Sequence, residues 1–198
     1  NTGIGAASMG GNTTGTRNTA VGSDSLKVST TGNDNTAIGK GALTANTTAS
    51  NNTAVGKNSL TANTTGTDNV AVGKAALDAN TTGASNTALG TDALSADTLG
   101  SRNTAVGTSA LEVQNFTSAT NAYNTAIGFN SGAAVTTGTL NTFVGGLTGD
   151  ANTTGADNTG LGFQALSANT TGASNVAVGS GALTSNTTGA GIVAVGKN

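Results

Sequence analysis

The sequence predicts an all-β fold, a parallel β-solenoid of the β-roll kind with about twelve 17-residue coils. Three observations carry that prediction. The phrase Asn-Thr-Ala-Val-Gly returns at a fixed step, opening at Asn1, Asn18, Asn35, Asn52, Asn69, Asn86, Asn103, Asn124, Asn141, Asn158 and Asn175, with a degenerate copy from Ile192. The apolar positions keep register: the fourth is aliphatic in every copy, and the ninth is Leu or Met in most. The fifth is Gly in all twelve. A short fixed period makes each unit one supersecondary element whose apolar side is covered by its neighbours.

Within a coil, the fourth and ninth positions stand five apart, which suits neither one helical face nor one strand face. Two short strands joined by a turn fit better, so residues 1–5 of each unit are read as one strand and about 8–13 as a second. Each strand then sends one side chain inward. The expected core ladder is Val21, Ile38, Val55 and Val72 on the first strand, with Leu26, Leu43, Leu60 and Leu77 on the second. Gly22, Gly39, Gly56 and Gly73 mark corners that need positive φ or close backbone approach. A further corner is written Asn-Thr-Thr-Gly, as at residues 63–66. The Asn at the first position either forms a side-chain ladder between coils or simply tolerates a turn. Stacked at the strand spacing, twelve coils make a rod of roughly 55–60 Å.

The third position is Ala in most copies and, by strand alternation, faces away from the fourth. So slim a roll buries little apolar surface of its own, so burial against partner chains is expected. A stripe of tiny outward side chains suits close packing of rods, which makes Ala37, Ala54 and Ala71 candidates for inter-chain contact. Phe143, the one large residue in that column, would plug the shared axis.

Composition removes whole classes of function. The chain of 198 residues has no Cys and no His, so thiolate or imidazole metal sites and the usual nucleophile–base pairs are absent. A formal net charge of −2 gives no grip on nucleic acid or an anionic membrane. No apolar run reaches the roughly 20 residues that cross a bilayer. The carboxylates are scattered, mostly Asp in turns, and no pair is spaced for acid–base work or a calcium loop. No catalytic, cofactor or metal site is expected, and the chain does not read as an enzyme. Low charge and abundant Gly would suit disorder, but a disordered chain has no reason to keep its aliphatics in register. The repeated Asn-Thr-Thr sequons follow from repetition of a turn. The chain starts within a repeat and reads as a single rod, residues 1–198, cut from a longer polypeptide.

Asn-Val-Ala-Val-Gly at 69–73 and 175–179, followed by a turn and a second small-apolar segment, resembles the Ser-Val-Ala-Ile-Gly repeats in the heads of trimeric autotransporter adhesins and related phage tail-fibre proteins. The resemblance covers the whole chain with a short motif. It implies a left-handed parallel β-roll, a homotrimer, and a role as a rigid spacer and multivalent attachment element, extracellular on a cell surface or virion. The partners so implied are copies of the chain and a host-surface glycan or protein. The repeat here is longer than in those adhesins and adds the Asn-Thr-Thr-Gly turn, which favours a fibre protein. A second reading is an ice-binding β-solenoid presenting Thr arrays, although the Thr pairs sit in a Gly-bearing turn and not on a flat face.

The repeat is irregular over 112–163. The step from Asn103 to Asn124 is longer by four, and all five aromatics fall here. Phe116 and Tyr123, in the inserted loop, are either packing residues or a receptor contact. In the next two coils the Leu position becomes Gly132 and Gly149, and Phe129 and Phe143 are expected to fill the space vacated.

Overall fold

The computed structural model describes all 198 residues and is all-β, without a helix. The strands are β1 Thr2–Ile4, β2 Thr19–Val21, β3 Thr36–Ile38, β4 Thr53–Val55, β5 Val70–Val72, β6 Thr87–Leu89, β7 Gly100–Ser101, β8 Thr104–Val106, β9 Thr120–Asn121, β10 Thr125–Ile127, β11 Thr142–Val144, β12 Thr159–Leu161, β13 Val176–Val178 and β14 Val193–Val195. Twelve of them stack in one parallel sheet in chain order, and β7 pairs with β9 in a second. Equivalent residues lie side by side, as with Thr53, Ala54 and Val55 beside Val70, Ala71 and Val72. The inserted residues are looped out between β8 and β10, so Thr104 still pairs with Thr125.

The regular strand is only three residues of each coil. Of 124 backbone hydrogen bonds, 101 lie outside the strands, so the turns hold the stack together. The expected second strand is a correction: residues 8–13 of the unit hold no strand, and the stretch runs as turns in all eleven full coils. The reason is local backbone shape. Leu26, Leu43, Leu60 and Leu77 have φ of 49°, 51°, 53° and 54°, in the left-handed region and incompatible with a strand. Their amides still bond between coils, as Leu60 N–H does to the Ala76 carbonyl at 3.0 Å.

The interior is built from the third, eighth and ninth positions. Leu26, Leu43, Leu60 and Leu77 are fully buried, and so are Ala20, Ala37, Ala54, Ala71, Ala76 and Ala93. The strand faces are therefore inverted relative to the expectation above. Ala37, Ala54 and Ala71 point into their own coil and touch no shared axis. Val21, Val55 and Val72 are only partly covered, and Ile38 is 40 % exposed. The coil is too thin to hold a leucine from the turn and a valine from the strand at one level, so only Ala fits opposite Leu.

Two asparagine columns run through the stack. At the first position, Oδ1 of each Asn accepts the backbone N–H of the next, as Asn35 Oδ1 does from Asn52 at 3.0 Å, while Asn52 Nδ2 donates to the Gly66 carbonyl at 2.9 Å. True amide-to-amide steps occur at the twelfth position, where Asn63 Nδ2 donates to Asn46 Oδ1 at 3.1 Å and Asn80 Nδ2 to Asn63 Oδ1 at 2.9 Å. Both columns are buried, so each bond satisfies a polar group that would otherwise be stranded.

Candidate functional site

With Ala inward, the second and fourth positions of every strand face outward. They form two adjacent columns along the sheet. One is Thr19, Thr36, Thr53, Val70, Thr87, Thr104 and their successors; the other is Val21, Ile38, Val55, Val72, Leu89, Val106, Ile127, Val144, Leu161 and Val178. Ile38, Leu89, Ile127 and Leu161 are 39–47 % exposed. This is an unbroken apolar rank, one residue per coil, on a parallel sheet. Isolated surface aliphatics are ordinary, but a contiguous rank is not. Sequence reasoning placed these residues in the core, so the face itself was missed.

The corner glycines bound this face. Gly22, Gly39, Gly56 and Gly73 have φ between 132° and 139°, and a Cβ at Gly56 would run into the Gly73 carbonyl. The close approach and the left-handed backbone both require glycine.

The inserted loop does not assemble a contact patch from its two aromatics. Phe116 is buried at 6 % exposure, which corrects its reading as a receptor contact. Tyr123 is exposed, with the Arg102 guanidinium 5.4 Å from its ring centroid and Arg102 Nη1 donating to the Tyr123 hydroxyl at 2.5 Å. Beneath the loop lies a buried polar chain. Asn124 Nδ2 donates to Gln114 Oε1 at 2.7 Å, and Gln114 Nε2 donates to Asp97 Oδ2 at 2.7 Å. The Gly100 amide donates to Asp97 Oδ1 at 2.9 Å. Burial pushes the Asp97 carboxyl above its ordinary range, opposed by these bonds and by the amides of Leu99 and Phe116.

Phe143 is fully buried inside its own coil, another correction to the shared-axis expectation. It occupies the room left by Gly149, where a Cβ would lie 2.6 Å from the ring, and by Gly132, at 3.1 Å. Phe129 does not join it, being 58 % exposed, and Phe163 is 54 % exposed. Both stand in the sixth column, which sequence reasoning did not follow from coil to coil. That column also carries Lys40, Lys57 and Lys74, all exposed.

Nothing in the molecule resembles an enclosed reaction site. No three carboxylates converge to hold a metal ion. The one concavity lies on the last full coil, lined by Leu183, Ala194 and Val195 among others. In comparisons with family models, curated proteins and solved structures, nothing matches the chain.

Proposed function

We propose that the chain is a non-enzymatic fibre segment, a rigid spacer and many-copy attachment element working outside the cell on a cell surface or virion, in which three copies pack side by side. The observation that carries this reading is the outward aliphatic rank on the parallel sheet. It replaces the alanine stripe as the inter-chain surface. Self-association covers the rank from Ile38 to Leu161, and three-fold closure leaves no copy with an open face. The likeness to adhesin-head and tail-fibre repeats supports three copies over two. Attachment strength in such a rod comes from repetition of weak sites more than from one pocket.

Sedimentation of the purified chain tests this, alongside a Val55→Glu/Val72→Glu variant. The wild type is expected at three times the chain mass, and the variant as a folded monomer, because Val55 and Val72, on adjacent coils, are both only partly covered within a single chain. A wild type that stays monomeric at micromolar concentration, with its β circular dichroism intact, would remove the proposal.

One observation favours a second reading, ice binding. The Asn-Thr-Thr-Gly threonines are not the relevant ones, since Thr64 Oγ1 already donates to the Thr81 carbonyl at 3.0 Å. The sheet face instead sets a mostly Thr column, broken by Val70 and Val176, beside the aliphatic column. A monomer that shapes ice crystals in a thermal-hysteresis assay would favour this reading over the fibre.

A further inference from the structure

The sixth position, one residue past the corner glycine, forms an outward file that the face described above does not include. Along it stand Lys40, Lys57 and Lys74 on three consecutive coils, then Thr91, Thr108, Phe129, Gly146 and Phe163. Backbone bonds fix the spacing: Asn58 N–H to the Lys40 carbonyl at 2.9 Å, Ala75 to Lys57 at 3.0 Å, and Asp92 to Lys74 at 3.0 Å. Neighbouring lysines are thus rooted one strand spacing apart, about 4.8 Å. Four of the seven cations stand in this file, these three together and Lys197 at its far end, and none is in an ion pair; the two pairs are Arg17–Asp34 and Lys27–Asp24. Asp24, whose carboxyl is lowered chiefly by its bond to Lys27, feels the Lys40 charge only weakly and at one end of the file. Like charges so placed repel, and an anionic chain whose charges advance by the same step relieves that repulsion.

Farther along the file, Phe129 and Phe163 flank Gly146 in the column, both more than half exposed. A Cβ at Gly146 would lie 3.6 Å from the Phe163 ring, an ordinary contact, so that ring sits close against the backbone of the intervening coil. Exposed aromatic faces offer large contact area at low entropic cost and suit the apolar faces of sugar rings. A duplex nucleic acid fits poorly, because it needs many more cations than three on a chain of net charge −2.

We infer that this file is a binding track for a linear acidic polysaccharide lying along the rod. Successive sugars advance by about one coil step of ~4.8 Å. Their carboxylates rest on Lys40, Lys57 and Lys74, the Thr91 and Thr108 hydroxyls bond between, and ring faces pack on Phe129 and Phe163. The inference rests on the attachment role proposed above and names its ligand class. It does not depend on the number of copies, because the file lies beyond the corner and off the threonine–aliphatic face.

The test is calorimetric titration of the full chain with polygalacturonate oligomers, with a neutral β-linked glucan and duplex DNA as comparisons. It uses the wild type, Lys40→Gln/Lys57→Gln/Lys74→Gln and Phe129→Ser/Phe163→Ser, all at exposed positions. Polygalacturonate is expected to bind the wild type, to lose at least about tenfold in affinity in the lysine variant, and to weaken with added salt. The phenylalanine variant is expected to lose several-fold, and the neutral glucan not to bind. Sedimentation of each variant, unchanged from wild type, separates lost binding from lost assembly. The inference is overturned by a correctly assembled wild type that ignores polygalacturonate, by a lysine variant that binds it as well as wild type, or by equal affinity for DNA. The first of these leaves the fibre reading standing.

Discussion

Leu, and not Val, fills the ninth position because its backbone is left-handed. A branched β-carbon at φ near 50° clashes with its own carbonyl, whereas Leu carries its branch one carbon farther out. The same rule governs the other left-handed positions: Asp24, Asn58, Ala75 and Asp92 in the seventh column, and Arg17, Asp34, Asn51 and Asp68 in the seventeenth. None of these is Val, Ile or Thr. Polar columns obey an equally local logic. The twelfth-position ladder needs a side-chain donor from each coil to the oxygen of the one before, and it fails where the next residue is Ser29 or Asp97. Asn12 Oδ1 is left unpartnered below Ser29, and Asn80 Oδ1 below Asp97. Ser29 is fully buried with its own hydroxyl unpartnered. Ser29→Asn should therefore join Asn12 to Asn46 through the column and raise stability by about 1 kcal/mol, the net worth of one added buried bond. Urea midpoints of the two proteins check this. A lower midpoint in the variant would show that the column cannot take a larger side chain at that level.

At the scale of the coil, the third and ninth positions compete for one volume. Most coils take Ala with Leu, as in Ala54 with Leu60, whereas the coil from Asn141 takes Phe with Gly, Phe143 with Gly149. Gly160, in the next coil, extends the accommodation, since a Cβ there would lie 3.3 Å from the Phe143 ring. Phe143→Ala alone should cost about 3–5 kcal/mol through the cavity it leaves. Adding Gly149→Leu should recover most of that, because Gly149 has φ of 57°, close to the 53° of Leu60. A double-mutant cycle reads the coupling directly, and additive losses would refute the shared volume. That exchange was already legible in the sequence, since the only Phe in the third column coincides with a Gly in the ninth of the same coil. The period, the corner glycines and the buried Leu rank were legible for the same reason: each repeats in register. The inward Ala was not, because bulk was taken as the guide to burial and the narrowness of the coil is a three-dimensional fact. For Phe116 packing and receptor contact both stayed open, because the loop's polar base, Asp97 with Gln114 and Asn124, involves residues far apart in the chain. That base also predicts a pH response. A carboxyl whose pKa is higher folded than unfolded stabilises the fold fully below about 3.9 and loses that contribution as pH rises through its native value. Asp97, Asp78 and Asp150 are all raised by burial and act in this sense. Asp34, lowered by its bond to Arg17, acts only below that range. Stability should thus decline from about pH 4 upward, and Asp97→Asn should make the decline shallower. Equal slopes in urea titrations of the two proteins would exclude Asp97 as a contributor.

For the whole molecule, order along the rod is translational. Each strand pairs only with its counterparts in the coils before and after, so stability is close to a sum of coil and interface contributions. Removal of one complete coil, residues 52–68, should then leave a folded rod. Asn51 would run into Asn69 as any seventeenth position runs into a first, β3 would take β5 as its neighbour, and Asn80 would donate to Asn46 in place of Asn63. Leu43 would meet Leu77, and the Lys file would shorten from three to two. Solution scattering should show a rod shorter by one strand spacing, about 4.8 Å, with a thermal midpoint little below wild type. Deletion of residues 52–60 alone removes part of a coil. It would set Asn51 against Thr61, place the left-handed positions out of phase with their neighbours, and strand the buried asparagine amides on both sides. That variant should lose its cooperative transition, since every column crossing the junction is broken at once. If the two deletions behaved alike, either both folding or both failing, the columns would not be what holds the rod in register.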